Sequence, residues 1–197
     1  MSIYQFCPSP DLSTKEQTYT TWENGFSDSE IASIIELGNS LTLGNGTVEG
    51  TKENTAIRKS TVGWIVHSQD STFLYDRLAY ITRMLNGQFF DFDLYGFVED
   101  LQYTVYNSNN DHYNWHMDKG VASQAPRKLS LVLQLSDPSE YEGGDIEFML
   151  GGENLYTAEK KKGLLYAFPS WILHRVTPVT AGTRKSLVAW VAGPKFR

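Results

Sequence analysis

The stretch RKLSLVLQLSD, residues 127–137, alternates strictly: Leu129, Leu131, Leu133 and Leu135 share one side of an extended chain, and Ser130, Val132, Gln134 and Ser136 share the other. A helix would scatter those leucines around its axis, so the period of two decides for a strand with two distinct faces. GGDIEFML, residues 143–150, repeats the pattern, with Ile146, Phe148 and Leu150 against Asp145, Glu147 and Met149. LQYTVYN (101–107), GLLYAFP (163–169), ILHRVTPV (172–179) and TRKSLVAWVA (183–192) are further short candidates. Gly, Pro and Asn punctuate them at the spacing of a sandwich or barrel. From about residue 100 the chain therefore reads as antiparallel β.

Upstream the period changes. FSDSEIASIIELGNSL (26–41) opens on a capping box, Ser27 with Glu30 three residues later, and then places Ile31, Ile34, Ile35 and Leu41 on one helical face. QDSTFLYDRLAYITRMLNG (69–87) offers Asp70 or Ser71 as N-cap, an apolar face of Phe73, Leu74, Leu78, Ile81 and Leu85, and Gly87 as the stop. The segment between them, residues 42–60, is polar and Gly-rich and reads as a long surface connection, of the kind that often covers a site.

At 197 residues the chain is sized for one domain, residues 1–197, with helical support over about 20–90 and a β core over about 100–192. A net charge of -6 argues against broad nucleic-acid binding, which Lys and Arg must carry. The single cysteine, Cys7, excludes an internal disulfide, the first residues lack the pattern of a secretory signal, and no apolar run is long enough to span a bilayer. The expected location is cytoplasmic, with no membrane partner; the oligomeric state is not set by these features.

HYNWHMD, residues 112–118, holds two of the four histidines. In an extended chain His116 and Asp118 project to one side and can share a metal. Chance supplies an H-x-D roughly once in five chains of this composition, so a further ligand is needed. His174, near the start of a late strand, is a better candidate than His67, which falls just before the second helix. Two imidazoles and a carboxylate make the facial triad of non-haem Fe(II) oxygenases, which leaves coordination positions open, whereas a structural zinc site would need a fourth ligand. Ten residues beyond His174, past Ala181-Gly182, come Arg184 and Ser186 on one strand face. That turn is expected to send the chain back antiparallel beside His174. A guanidinium with a hydroxyl on an inward face suits a carboxylate.

The arrangement His116-x-Asp118, His174, Arg184-x-Ser186 resembles that of the 2-oxoglutarate and Fe(II)-dependent dioxygenases. LQYTVYNSNNDHYNWHMD, with Tyr106 ten residues before His116, then RKLSLVLQLSD, YEGGDIEF and GLLYAFPSWILHRVTPVTAGTRKSLVAW, is similar to the prolyl 4-hydroxylase-like, PKHD-type branch over roughly residues 100–192. The resemblance implies a mainly β fold, a double-stranded β-helix (jelly-roll) barrel with N-terminal helices packed on one sheet. It implies Fe(II) on His116, Asp118 and His174, with 2-oxoglutarate and O2 as co-substrates and ascorbate as an optional addition. It assigns Arg184, Ser186 and Tyr106 to the distal carboxylate of 2-oxoglutarate. The implied reaction is hydroxylation of an unactivated C–H bond, with succinate and CO2 released; the retained Asp118 fits hydroxylation, since the family's halogenases lose that carboxylate.

A peptidyl, prolyl-type substrate is the first expectation. A free amino acid or other small molecule is an alternative, as is oxidative demethylation of nucleobases, which the acidic balance disfavours. From another class comes a cupin-like jelly-roll binding module, which has no need of an inward carboxylate clamp. The chain ends seven residues after Trp190 (197 − 190), before the C-terminal extension of longer PKHD-type proteins, so no role is carried over from that extension. His112 is expected in a loop or behind the metal ligands, Arg58 and Lys59 of IRKS (57–60) in a solvated or substrate-edge patch, and the EKKKG run (159–163) in a solvated turn.

Overall fold

The computed structural model describes residues 17–48, 53–119, 126–151 and 155–195; Cys7 and part of the 42–60 connection lie outside the described residues. In chain order the elements are β1 (Thr20–Trp22), α1 (Asp28–Asn39), β2 (Gly44–Asn45), β3 (Arg58–Lys59), β4 (Thr61–Ile65), α2 (Thr72–Leu85), β5 (Gly96–Phe97) and β6 (Leu101–Asn107). They continue with β7 (Asp111–His116), β8 (Arg127–Gln134), β9 (Tyr141–Gly143), β10 (Ile146–Met149), β11 (Leu155–Thr157), β12 (Leu165–Pro169) and β13 (Leu173–Ala192).

The capping box forms: Ser27 Oγ accepts from the Glu30 amide while the Glu30 carboxylate accepts from the Ser27 amide. The second helix departs from expectation at both ends. Ser71 stands at its N-cap without a capping bond, because its hydroxyl donates to the Val66 carbonyl instead. Gly87 does not end the helix; the chain runs on through a π-helical turn, Asn86–Phe90, and stops where Asp91 takes a left-handed conformation. The Asn86 side chain holds that exit, donating to the Phe92 carbonyl and accepting from its amide.

The larger sheet runs β1-β12-β8-β13-β6-β4-β2, antiparallel throughout. A second antiparallel set, β11-β10-β13-β7-β3, faces it. The strand common to both corrects one expectation: Ala181-Gly182 makes no hairpin. Residues 173–192 are one strand that leaves the smaller sheet and enters the larger, bent by bulges after His174, Val176 and Val179. Gly182 sits at the crossing with φ +68, and a Cβ there would lie 1.9 Å from the Glu140 carbonyl oxygen, so the bend requires glycine. The result is the jelly roll with helices on one face of the larger sheet that the sequence led us to expect.

Alternation assigns the two faces of that sheet. Leu101, Tyr103 and Val105 of β6, Leu129, Leu131 and Leu133 of β8, and Leu187, Ala189 and Val191 of β13 pack against Ile31, Ile34, Leu74, Leu78, Ile81 and Leu85 of the helices. Gly38 permits the closest approach: a Cβ there would lie 2.4 Å from the Tyr103 ring, whose hydroxyl donates to Asn39 Oδ1 at 2.9 Å. The residues in between turn into the barrel. Tyr106, Val132, Tyr166 and Phe168 of the larger sheet meet Ile146, Phe148, Val176 and Val179 of the smaller one. With them go polar side chains that are equally buried, Gln102, Thr104, Ser130, Gln134, Arg184 and Ser186. The polar side of each strand is therefore the interior of the barrel.

Candidate metal and carboxylate site

Strand pairing brings the histidines together, since His116 of β7 lies directly opposite His174 of β13. With Asp118, two residues past the end of β7, they offer three ligand atoms within 4.8 Å of one another. His116 Nε2 is 3.6 Å from Asp118 Oδ1, and His174 Nε2 is 3.7 Å from Asp118 Oδ2. Those separations are too long for hydrogen bonds and leave room for an ion between the atoms.

Each ring is oriented from behind. Nδ1 of His116 bonds the Asn114 carbonyl at 2.7 Å, and Nδ1 of His174 bonds that of Ile172 at 2.9 Å. A carbonyl can only accept, so Nδ1 carries a proton, and Nε2 is the ring atom that faces the gap. Burial, then the neighbouring His174, pushes the His116 pKa down to about 3, which leaves a neutral ligand at pH 7. Asp118 takes a hydrogen bond from Ser130 Oγ at 2.7 Å, and Ser170 Oγ lies 2.9 Å from Ser130. Burial works to raise the Asp118 pKa, but the two imidazoles and Ser130 outweigh it and hold the carboxyl ionised. Two imidazoles and one carboxylate, converging and fixed from behind, fit a divalent metal such as Fe(II).

The same cavity reaches Arg184 and Ser186. Arg184 is 1% exposed, and its Nη1 donates to Ser186 Oγ at 3.2 Å. Its Nε and Nη2 are buried without any partner among the described residues. Leaving such donors unpaired is costly unless an acceptor arrives, and a carboxylate is the acceptor a guanidinium fits best. Tyr106, directly across the ladder from Arg184, presents its ring to the guanidinium at 5.4 Å and lines the same cavity.

A bulge decides which neighbours of His116 face inward. Between His116 opposite His174 and Tyr113 opposite Val176, β7 advances three residues while β13 advances two. The extra residue puts Tyr113 on the same face as His116, and their rings stack at 3.4 Å. His112, which strict alternation would put beside His116, is thereby turned away and bonds the Asn110 carbonyl. Burial pushes the Tyr113 hydroxyl up to about 12, which keeps it protonated.

Of the solvated or substrate-edge patch expected at Arg58, burial corrects the solvated alternative. Arg58 pairs with Tyr113 across the edge of β7, is 7% exposed, and lines the cavity with its guanidinium 4.6 Å from the Tyr113 ring. It donates to Ser60 Oγ, Gln102 Oε1 and the Thr47 carbonyl, all neutral. Lys59 alone turns outward, toward Asp111 at 3.5 Å. A local signal existed: Arg58, Ser60 and Val62 share strand parity, and Val62 is a core residue. The EKKKG lysines are ion-paired, Lys160 with Asp145, Lys161 with Glu23 and Lys162 with Asp28. Arg127 is a further residue the sequence did not single out. It pairs with Glu99, donates to the Asp118 carbonyl at 3.2 Å, and lies 3.7 Å over the Trp190 ring.

Known proteins share both the pattern and the fold. Residues 101–192 match the model of the 2OG-Fe(II) oxygenase superfamily. A PKHD-type hydroxylase of Synechococcus sp. (strain CC9605) is 36% identical over 85 residues, 43% of this chain and 38% of that protein. One of Hyphomonas neptunium is 36% identical over 92 residues, 43% and 39% of the respective chains. The matched part of the chain thus spans about two fifths of these relatives' length. Among solved structures, a Trichoplax adhaerens prolyl hydroxylase in complex with a hypoxia inducible factor peptide fragment superposes with TM-score 0.76 at 15% identity, covering 89% of this chain and 84% of that one. A Pseudomonas putida prolyl-4-hydroxylase gives 0.72 at 18%, covering 90% and 93%. Residues 101–192 thus resemble the 2OG-Fe(II) oxygenase superfamily and its PKHD-type hydroxylases in sequence, and most of the chain has the fold of the solved prolyl hydroxylases.

Proposed function

We propose that this protein is an Fe(II)- and 2-oxoglutarate-dependent hydroxylase acting on a peptidyl, prolyl-type substrate. The observation that carries this reading is the sharing of one cavity by a converging His116, Asp118 and His174 and by an Arg184 with two unpartnered donors. A metal-binding jelly roll without a dicarboxylate ligand has no use for the second feature, and burying a guanidinium unpaired costs stability. The PKHD-type relatives and the peptide held by the Trichoplax enzyme support a peptide substrate.

His116, Asp118 and His174 would hold the iron by Nε2, a carboxylate oxygen and Nε2, with Ser130 keeping the second Asp118 oxygen engaged. Bound iron with 2-oxoglutarate and O2 supplies the oxidising power, with succinate and CO2 as co-products and one oxygen atom delivered to the substrate C–H. Arg184 and Ser186 receive the distal carboxylate, and Tyr106 walls the same pocket. Because Arg184 is fully buried, the carboxylate exchanges water for fixed donors and the co-substrate is held in one orientation. Val176, Val188 and Trp190 line the same cavity and add apolar wall to it.

A second reading is favoured by Arg58, which adds a buried positive charge with no carboxylate in ion-pair range among the described residues. A free amino acid or other small molecule carrying its own carboxylate would answer that charge. Succinate release screened against proline-rich peptides, free amino acids and methylated oligonucleotides separates the readings. Turnover of the peptides supports the first, turnover of free acids the second, and turnover of the oligonucleotides overturns both. Calorimetry on the metal-loaded protein tests the premise, which fails if 2-oxoglutarate does not bind.

A further inference from the structure

Asp118 lies two residues past the end of β7, outside every strand, so no ladder holds its carboxylate in place. Its backbone is fixed from two sides instead. Arg127 Nη1 donates to the Asp118 carbonyl at 3.2 Å, and the amide of the next residue, Lys119, donates to the Ser170 carbonyl at 2.9 Å. The Ser170 amide in turn donates to the Lys128 carbonyl at 2.9 Å. Ser170 stands between the end of β12 and the start of β13, shortly before His174. It therefore ties the segment that carries Asp118 to the one that carries the second imidazole.

The Ser170 hydroxyl adds a further link, because Ser170 Oγ lies 2.9 Å from Ser130 Oγ, which lies 2.7 Å from Asp118 Oδ2. Both serines are 0% exposed. An ionised carboxylate only accepts, so the one Ser130 proton goes to Asp118, and Ser130 can then only accept from Ser170. The order of donation is Ser170 to Ser130 to Asp118, and a chain that runs one way strengthens each bond in it. Alanine would fill either position nearly as well, and burying a hydroxyl costs stability unless it is bonded, so packing does not account for two serines there.

The chain bears on how Asp118 can meet an ion. A carboxylate binds a metal by one oxygen or by both, and the second mode fills a position that a facial triad leaves open. With Oδ2 tied to Ser130, Oδ1, 3.6 Å from His116 Nε2, is the oxygen left for the ion. Resting on the metal site of the hydroxylase reading above, we propose that Ser170 is a positioning residue for Asp118 that acts through Ser130, and that the two hydroxyls together keep Asp118 a one-oxygen ligand.

The test is calorimetric titration of Mn(II) into the full chain, with the visible bands of the Co(II)-loaded protein as a second readout of the ligand shell. Ser130→Ala is expected to weaken Mn(II) binding about tenfold, the lower end of what losing a partner of a metal ligand costs, and to shift the Co(II) bands. Ser170→Ala, which leaves both backbone links in place, should weaken binding by a smaller factor and shift the bands the same way. In a Ser130→Ala background Ser170→Ala should change neither readout, because its route to Asp118 is gone. An equal effect of Ser170→Ala in both backgrounds overturns the proposal. So do single variants that lower Tm while Mn(II) affinity and Co(II) bands stay parental, since the serines would then only support the fold. A parent that binds Mn(II) but not 2-oxoglutarate takes down the hydroxylase reading alone, and a parent that binds neither Mn(II) nor Co(II) overturns both.

Discussion

Two buried regions lie back to back across the larger sheet, and the same strands build both. From β8, Leu129, Leu131 and Leu133 go to the helix side, while Ser130, Val132 and Gln134 go into the barrel. The helix side is closed by apolar contact with α1 and α2, whose burial stabilises roughly in proportion to area. The barrel side holds two arginines, an aspartate and a serine pair, with donors left over. Buried polar groups of that kind cost stability and recover it only with a ligand in place. One side of the sheet keeps the fold, and the other keeps a site ready.

The comparison can be broken at several points. Asp118→Ala strikes the barrel side hardest: turnover, read as succinate release, should vanish while the circular dichroism spectrum stays parental. Leu78→Ala strikes the helix side, where Leu78 is 1% exposed, and should cost about 2–5 kcal/mol in denaturant unfolding without altering the 2-oxoglutarate Kd of the folded protein. If the two sides are as separate as their compositions, neither variant will show the other's defect. Mn(II) with 2-oxoglutarate at a hundredfold its Kd should stabilise the parent by about 2.7 kcal/mol, seen as a raised Tm. Gly38→Ala, which forces a methyl against the Tyr103 ring, should cost about 1–3 kcal/mol. Smallest is Arg184→Met, expected to leave the Tm of the ligand-free protein unchanged or slightly raised while abolishing the gain from 2-oxoglutarate; a clear fall in that Tm would show that the guanidinium supports the fold.

Much of the site is legible along the chain because its ligands stand on strands with simple parity. His116 and Asp118 are two apart, and Arg184 and Ser186 are two apart on the late strand that begins at His174. What parity misleads about is the bulge in β7, which moves Tyr113 into the cavity and His112 out of it. Arg58 was hidden for another reason. It precedes the barrel by some forty residues, and only the pairing of β3 with the edge of β7 brings it to the cavity. Gln134 and Tyr141 each look like an ordinary barrel residue; their hydrogen bond beside Arg184 exists only once β8 and β9 flank the crossing of β13.

The sequence by itself determined the period of each strand, the capped start of α1, and the residue types of the candidate metal triad and candidate carboxylate clamp. These follow from local rules, since side-chain direction in a strand depends only on position along it. Tertiary structure decided that the polar faces point into a closed barrel, that residues 173–192 cross between sheets without turning back, and that Arg58 and Tyr113 join the cavity. Those outcomes depend on register between strands far apart in the chain, and register is set by the packing of the whole barrel.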